Sequence, residues 1–177
     1  MSATPYLGES TDLVLGQEFL TWLWYRSDTN PVFKSPDKGP DFTVSMEQRI
    51  VVQGGEGEAK ETASVSGVMS ELREARLGLV TGKQVTRALV LFTRDPEVWQ
   101  VTLKAADLSL GSLKTPTVEK GDSQDDDPDA LFYEKVHLTE VCLSFIDTVY
   151  AEFLKLRLSR DWEEETKEIR EWAAREA

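Results

Sequence analysis

Few side chains in this sequence have the types and the spacing that catalysis needs. The single histidine, His137, and the single cysteine, Cys142, lie five residues apart in a segment with helical periodicity. Five residues place two side chains about 140° apart around a helix, so these two do not face each other as base and nucleophile. No Gly-x-Ser-x-Gly turn is present. The sequence therefore predicts no catalytic residue, and Cys142 is interpreted as a buried thiol.

Cation and phosphate sites are also weakly indicated. The aspartate-rich segment Gly121–Asp129 lacks the glycine and the distal glutamate of a calcium loop, and Pro128 stiffens it. The glycine-rich stretch at 54–57 has no following Lys-Ser/Thr pair and is interpreted as a hairpin turn. Asp41 and Glu47 lack a third ligand, so a two-metal nuclease is only a third hypothesis. We predict no metal, no cofactor and no enzymatic activity.

A group of basic residues gives the more informative signal. Its members lie on or beside one predicted hairpin, Val85–Ala106, in a stretch with few acids: Lys83, Arg87, Lys104 and Lys114. On an antiparallel pair of strands such residues can form a positive strip that meets phosphates. A half-exposed hairpin also needs some charge for solubility, and this alternative stays open.

The overall charge is unfavourable for polyanions. With 20 Lys+Arg against 32 Asp+Glu, the formal charge is −12, which opposes binding to nucleic acid or to an anionic membrane unless the basic residues share one face. Much of the acid is concentrated in Glu119–Asp129 and Asp161–Glu176. No signal pattern, membrane-length apolar run or pair of cysteines is present. We predict a soluble cytoplasmic protein without a membrane partner.

One long helix is expected to organise the fold, and the first helix also carries large apolar side chains. Ala130–Leu158 repeats apolar residues at three- and four-residue spacings and contains no Gly or Pro, which predicts roughly eight helical turns. Its apolar stripe includes Phe132, Val136, Leu138, Phe145 and Phe153. The first helix, from Ser10, Thr11 or Asp12 to about Arg26, is apolar nearly all round. Such a helix is buried either within the fold, which we favour, or against a partner.

Tryptophans of the first and last helices are the candidate partner-binding residues: Trp22, Trp24, Trp162 and Trp172. The last helix follows Ser159 and has a narrow apolar stripe in an acidic background, which could dock in a groove of a partner. Homodimerisation through Trp22, Trp24 or Trp172 is a further hypothesis.

The remaining segments predict strands and one more helix. Alternating residues predict strands over Phe42–Gln53 and Val98–Ala106. Ala59–Ser66 is predicted as the return strand after the glycine-rich turn, and Val85–Thr93, apolar on both faces, as a central strand. Ser70–Val80 is predicted as a helix, and Leu108–Val118 as an irregular segment at a sheet edge. The fold class is α+β: a mostly antiparallel sheet of about four strands, with helices on one face, a long C-terminal helix and a short terminal helix.

This pattern predicts a flexible arm over residues 1–12, one α+β domain over 13–158 and an amphipathic terminal helix over 159–177. The acidic segment 119–129 is expected to be a solvated linker inside the domain.

The segment Ser70–Lys114 resembles the C-terminal half of the recombination-associated protein RdgC family. The residues that carry the resemblance are Gly82-Lys83-Gln84-Val85-Thr86-Arg87-Ala88-Leu89, then Asp107-Leu108-Ser109-Leu110 and Leu113-Lys114. The acidic linker and the long helix follow in the matching order, and Leu15–Arg26 looks like an opening helix of some family members. The resemblance covers about half of the chain.

The resemblance implies a non-enzymatic DNA-associated accessory protein that modulates recombination. Members of the family bind DNA without sequence preference, form ring-like dimers around the duplex and restrain RecA-type strand exchange. This chain is shorter and is expected to lack the half that contributes to the ring, so the resemblance implies a recombination context, and a nucleoid location, more than an encircling dimer. Lys83, Arg87 and Lys114 carry over as candidate phosphate contacts. The alternative is an acidic protein-protein interaction module that does not bind DNA.

Overall fold

The computed structural model describes the backbone of residues 10–54, 61–66, 69–117 and 128–175, and the side chains of 14–46, 75–117 and 128–175. Most of the predicted arm, the turn after Gly54 and residues 119–127 of the acidic linker lie outside these ranges. The last three residues of the predicted arm, 10–12, belong to the first helix.

The centre of the molecule is an antiparallel sheet. Its strands are β1 (Val32–Phe33), β2 (Phe42–Gly54), β3 (Glu61–Ser66), β4 (Gln84–Arg94), β5 (Glu97–Lys104) and β6 (Leu110–Lys114). Five of them follow the order β1-β2-β4-β5-β6, and β3 also pairs with β2. Because β4 occupies one side of β2, the short β1 and the hairpin strand β3 share its other side, at opposite ends.

The helices lie together on one face of this sheet. They are α1 (Ser10–Thr29), α2 (Met69–Val80), α3 (Pro128–Arg157) and α4 (Trp162–Arg175). Helix α1 packs on β4 and β2, α2 packs on β2 and β3, and α4 packs on α1 and α2. The α+β prediction is confirmed.

The sheet is larger than the predicted four strands because β1 and β6 were missed. Strand β1 has only two residues and lies in the predicted loop 27–40, and two residues are too few to show an alternating pattern. Strand β6 contains Ser112 with a φ of 49°, and its pairing with β5 is irregular. This irregularity hides the period of two in the predicted edge segment.

Helix α1 is deeply buried. Five of its side chains are at most 1% exposed: Phe19, Leu20, Trp22, Leu23 and Trp24. The helix is enclosed because the sheet covers one side while α3 and α4 contact others. Burial of this helix within the fold, the favoured interpretation of its sequence, is confirmed. Helix α1 therefore shares with α3 the organising role that was predicted for α3 alone.

Helix α3 meets the core only from its second third onward. The Nε1 of Trp99 donates a hydrogen bond of 2.8 Å to the carbonyl oxygen of Leu138. Beyond that point Phe145 and Phe153 are fully buried, whereas Phe132 is 63% and Val136 38% exposed. The assignment of Phe132 and Val136 to the buried stripe was therefore wrong, because the first turns of α3 extend past its contact with the sheet.

The contact between α1 and α4 places carboxylates beside buried aromatic rings. The Tyr25 hydroxyl donates a hydrogen bond of 2.8 Å to Oε2 of Glu168, and Trp22 Nε1 donates one of 3.2 Å to Glu165. Burial, followed by the hydrogen bond to Glu168, raises the pKa of Tyr25 to about 12. Burial also raises the pKa of Glu165. Folding thus makes each of these two groups harder to deprotonate than it is in the unfolded chain.

We expect alkaline pH to destabilise the fold through Tyr25. Its pKa rises on folding, from 10.0 to about 12, so its contribution is fully present below pH 10 and is lost as the pH rises toward 12. A shift of two units corresponds to at most about 2.7 kcal/mol. Urea unfolding of the wild type and of Tyr25→Phe at pH 8 to 11.5 measures this loss of stability. The account predicts a shallower alkaline loss of stability in the variant; identical profiles would contradict it.

Candidate nucleic-acid interface

The sheet has two chemically different faces. Alternation along β4 points Val90 and Phe92 toward the helices, where both are at most 1% exposed, while Leu89 and Leu91 point the other way and are half-buried. The described helices all lie on the first side. No helix of the described part of the chain covers the second side of β4, β5 and β6.

Three of the four predicted basic residues lie on this second side. Arg87 and Lys104 are directly opposite each other in the β4–β5 pair, and both are exposed. Lys114 is exposed on the edge strand β6, opposite Gln100. Gln100 and Lys104 are four residues apart on β5, which is about 14 Å at 3.4 Å per residue. A DNA strand rises about 3.4 Å per nucleotide, so this distance corresponds to about four steps.

We call the outward-facing residues of β4, β5 and β6 the basic face. They are Arg87, Leu89, Leu91, Thr93, Val98, Gln100, Thr102, Lys104, Gly111 and Lys114. Three are cations and none is a carboxylate, in a chain whose net charge is −12. A nearby acid is Asp107, in the turn after β5. Hydrogen bonds from Ser109 are the main cause that lowers its pKa, and Lys104 contributes less.

The Arg87–Lys104 pair costs stability. Like charges directly opposite each other on an antiparallel pair repel, whereas an opposite pair would contribute about 0.2 to 1 kcal/mol. Neither an aspartate nor a glutamate stands on the basic face to relieve this repulsion. A polyanion laid across the face would relieve it.

The basic face carries no aromatic ring for base stacking. The rings of Phe42, Phe92 and Trp99 are at most 1% exposed and point to the helix side. Sheets that read single-stranded nucleic acid stack bases on exposed aromatic residues. This face instead offers cations, three uncharged polar side chains and the aliphatic Leu89, Leu91 and Val98. It is suited to a sugar-phosphate backbone and not to bases.

Lys83 does not join this face. It lies in the turn between α2 and β4, where its backbone N–H donates a hydrogen bond of 2.9 Å to the carbonyl oxygen of Gly78. Its side chain lines a cavity among α1, α2 and α4, on the helix side of the sheet. The prediction of one strip of four cations is corrected to three, because Lys83 precedes the strand and is not held in its alternation.

Arg94, at the far end of β4, is likewise committed elsewhere. Its guanidinium carbon lies 5.3 Å from the centre of the Phe145 ring, and Nη1 bonds Oδ2 of Asp37 at 3.1 Å. Hydrogen bonds from Ser35, from the Gly39 backbone and from Arg94 lower the pKa of Asp37 to about 2. This arginine holds the loop before β2 against the core.

Three of the four predicted partner-binding tryptophans are core residues. Trp22 and Trp24 are at most 1% exposed, and Trp172 is 4% exposed. The rings of Trp24 and Trp172 meet edge to face at 5.3 Å, and the Arg76 guanidinium lies 4.8 Å from the Trp172 ring centre. Their proposed role in binding a partner or in homodimerisation is therefore wrong: these residues join α1 to α4 within the chain. Trp162 is half-buried and lines the same cavity as Lys83.

The described residues contain no group of three or more acidic, histidine or cysteine side chains placed to hold a metal. Cys142 is fully buried, and burial raises the pKa of its thiol to about 11, so it is a poor nucleophile near neutral pH. Among the same residues, no helix is long and apolar enough to cross a membrane.

Comparison of the chain with protein-family models, with curated proteins and with solved structures finds no match. The resemblance to the RdgC family therefore stays a prediction, and what it implies about DNA is a proposal.

Sequence reasoning missed two features outside the basic face. Arg170 lines the cavity that also contains Lys83 and Trp162. Arg170 directly follows Ile169, which belongs to the apolar stripe of the last helix. A cation at that position borders the stripe, and this was the sequence signal that could have identified Arg170. Phe132 and Tyr133 are 63% and 69% exposed, and no sequence signal distinguished them from the buried aromatic residues of the same helix.

Proposed function

We propose that this protein is a non-enzymatic, DNA-associated accessory protein of the RdgC type that binds the DNA backbone through its basic face. The observation that supports this most is the placement of Arg87, Lys104 and Lys114 together on the basic face, whose ten residues include no carboxylate and which none of the described helices covers. Modulation of recombination and a nucleoid location in the cytoplasm rest on the family resemblance.

The charge distribution would orient the protein on DNA. Helix α4 packs on α1 and α2, on the helix side of the sheet, and carries Glu163, Glu164, Glu165, Glu168 and Glu171. Its carboxylates would be repelled by phosphates while the basic face is attracted. A net charge of −12 therefore does not prevent binding, but it makes binding weak and sensitive to salt.

Recognition by this face would be independent of sequence. Arginine and lysine contacts to phosphates position a protein on DNA without reading its bases. The nearest polar groups that could contact a base edge are Gln100 and Thr102, on a broad sheet with no element that projects into a groove. Non-specific affinity is the expected outcome.

Reversing the charge of Lys104 should separate binding from stability. In Lys104→Glu the side chain opposite Arg87 becomes a favourable partner, so we expect the free energy of unfolding to be unchanged or about 0.2 to 1 kcal/mol higher. Loss of one phosphate contact at about 0.1 M salt should weaken DNA binding about tenfold. Urea unfolding and fluorescence anisotropy of a labelled duplex measure the two effects.

Lys135→Glu is the matched control. Lys135 is exposed on α3, and its substitution changes the net charge by the same amount as Lys104→Glu. It should weaken binding much less than Lys104→Glu. Equal effects of the two variants would show that only net charge matters and would contradict a role for the basic face.

An acidic protein-interaction module that does not bind DNA is the second candidate function. Burial of Trp22, Trp24 and Trp172 removes most of its original support, but the adjacent Phe132 and Tyr133 offer exposed aromatic surface at the start of α3. The anisotropy experiment separates the two functions, because such a module would leave labelled DNA unbound at every salt concentration.

A further inference from the structure

A stripe of exposed apolar side chains runs along the first half of α3. Phe132, Val136 and Leu143 are 63%, 38% and 42% exposed, and Thr139 is half-buried. These four residues are separated by four, three and four positions, which is the spacing of the seam between two packed helices. We call them the α3 stripe. It is about 17 Å long at 1.5 Å per residue.

The α3 stripe is distinct from the side of the helix that faces the core, where Cys142 and Phe145 are fully buried. The spacing of the stripe continues to Ile146 and Tyr150, but these two residues are half-buried. The Tyr150 ring meets Phe19 of α1 edge to face at 5.0 Å. The exposed stripe therefore covers the part of α3 that projects past the sheet and ends where α1 packs on α3.

Burial of the α3 stripe against another helix would carry little cost. The Thr139 hydroxyl donates a hydrogen bond of 2.9 Å to the carbonyl oxygen of Lys135, so it needs no partner outside the helix. The helix is already formed, because the buried Phe145 and Phe153 hold its second half in the core. A partner would therefore gain apolar contact without the entropy cost of ordering α3.

The charged residues beside the α3 stripe match those of a second copy of this chain. Lys135 directly precedes Val136, and Glu140 directly follows Thr139, so these two exposed residues lie on opposite flanks of the stripe. When two such helices pack in parallel, a residue on the first flank meets the residue five positions later on the second flank of the other helix. Lys135 of each copy would then meet Glu140 of the other, which gives two ion pairs by symmetry.

An antiparallel pair of copies has no such match. Like flanks meet in that arrangement, so Lys135 would not reach Glu140. With Phe132 facing Leu143 of the other copy, Asp129 would also approach Asp147 of the other copy twice. In the parallel pair Asp129 approaches only its own counterpart, at one end of the stripe. The charges therefore favour the parallel pair.

We propose that the α3 stripe is the interface of a weak, parallel homodimer, in which each apolar residue packs against its own counterpart. The stripe spans about one and a half heptads, so we expect a dissociation constant on the order of 0.1 mM, at the weak end of protein interfaces. At the micromolar concentrations used for unfolding and for DNA binding the chain would be a monomer. The dimer does not use the basic face, so this proposal does not depend on DNA binding.

Sedimentation equilibrium of the full chain without DNA, from micromolar to millimolar protein, measures the association. Two copies with a net charge of −12 repel each other, and salt screens this repulsion. We therefore expect the dimer to become tighter as salt is raised from 50 to 500 mM. DNA binding should weaken over the same change, so failure of one proposal is distinguishable from failure of the other. A chain that stays monomeric at millimolar concentration at every salt concentration would overturn the homodimer.

Two charge reversals on α3 locate the interface. Glu140→Lys places a cation opposite Lys135 of the other copy, so we expect dimerisation about fivefold weaker although the net negative charge falls by two. Glu134→Lys changes the net charge equally at an exposed position on the opposite side of the helix from the stripe. It should leave the dimer unchanged or make it tighter. Equal effects of the two variants would show that the α3 stripe is not the interface.

Cysteine cross-linking checks the direction of the two helices. In a parallel pair position 136 meets its own counterpart, so Val136→Cys should give a disulfide-linked dimer on mild oxidation. Glu134→Cys, on the opposite side of the helix, should not. The native Cys142 is fully buried and does not compete. Equal cross-linking of the two variants, or none through Val136→Cys, would contradict the parallel pair.

Discussion

Replacing Gly16 with alanine is expected to lower the free energy of unfolding by about 3 kcal/mol or more, as overpacking against a rigid neighbour does. A Cβ at this position would lie 1.9 Å from the carbonyl oxygen of Ala105 and 2.8 Å from its carbonyl carbon. Both are backbone atoms, and the Ala105 N–H is bonded to the carbonyl oxygen of Thr86 at 2.8 Å. The clash therefore outweighs the gain of about 1 kcal/mol that alanine brings to a helix. Helix α1 would have to move away from the sheet.

Gly111→Ala is the control for this prediction. The nearest atom to a Cβ at Gly111 is 3.8 Å away, in ordinary contact, so the same substitution should change stability little. Urea unfolding followed by circular dichroism measures both variants. A Gly16→Ala protein as stable as wild type would show that α1 does not approach the end of β5 as described.

Replacing Phe145 with alanine should cost about 3 to 5 kcal/mol of stability, the usual range for a buried aromatic residue. Its ring is fully buried and stacks on Phe42 with 4.2 Å between ring centres. It also meets Trp99 edge to face at 5.2 Å. The ring thus joins α3 to β2 and β5, and removing it leaves a cavity that these rigid elements cannot close.

Phe132→Ala makes the same chemical change on the same helix. Phe132 is 63% exposed, so we expect a change within about 0.5 kcal/mol. Both residues belong to the apolar stripe seen in the sequence, and only the structure distinguishes them. Equal losses of stability in the two variants would contradict the finding that α3 contacts the sheet only from Leu138 onward.

Local patterns predicted most of the secondary structure. Alternation over Phe42–Gln53 identified one of the two longest strands, and the continuous run of β-forming residues over Val85–Thr93 identified the other. Helix α2 was predicted within one residue of its observed start and at its observed end, and Gly82, at a φ of 91°, follows its last turn. Strands β1 and β6 were not predicted, because their formation depends on pairing with a neighbouring strand and not on their own periodicity.

Burial along α1 and α3 could not be predicted in the same way. An all-apolar helix such as α1 fits a protein core and a partner interface equally well, and the choice depends on whether another helix of the chain covers it. In this protein α4 covers α1, as the contact of the Trp172 ring with the Trp24 ring shows. Similarly, the extent to which α3 projects past the sheet is set by the position of Trp99 and not by the helix itself.

The candidate interface could be predicted only in part. Arg87 and Lys104 face each other because β4 and β5 are joined by a tight turn that fixes their register. Lys114 needed the additional pairing of β6. Lys83 precedes the regular strand, so its sequence proximity to Arg87 did not translate into proximity on one face. Register, and not spacing alone, determines which cations act together.

The most direct test is fluorescence anisotropy of labelled duplex DNA with the wild-type protein across 50 to 200 mM salt. Three phosphate contacts predict a slope of about −2.7 for log K against log salt, or about a fortyfold loss of affinity over this range. Duplexes of unrelated sequence should give the same result. Absence of binding at 50 mM salt, or affinity that does not change with salt, would contradict DNA binding through the basic face.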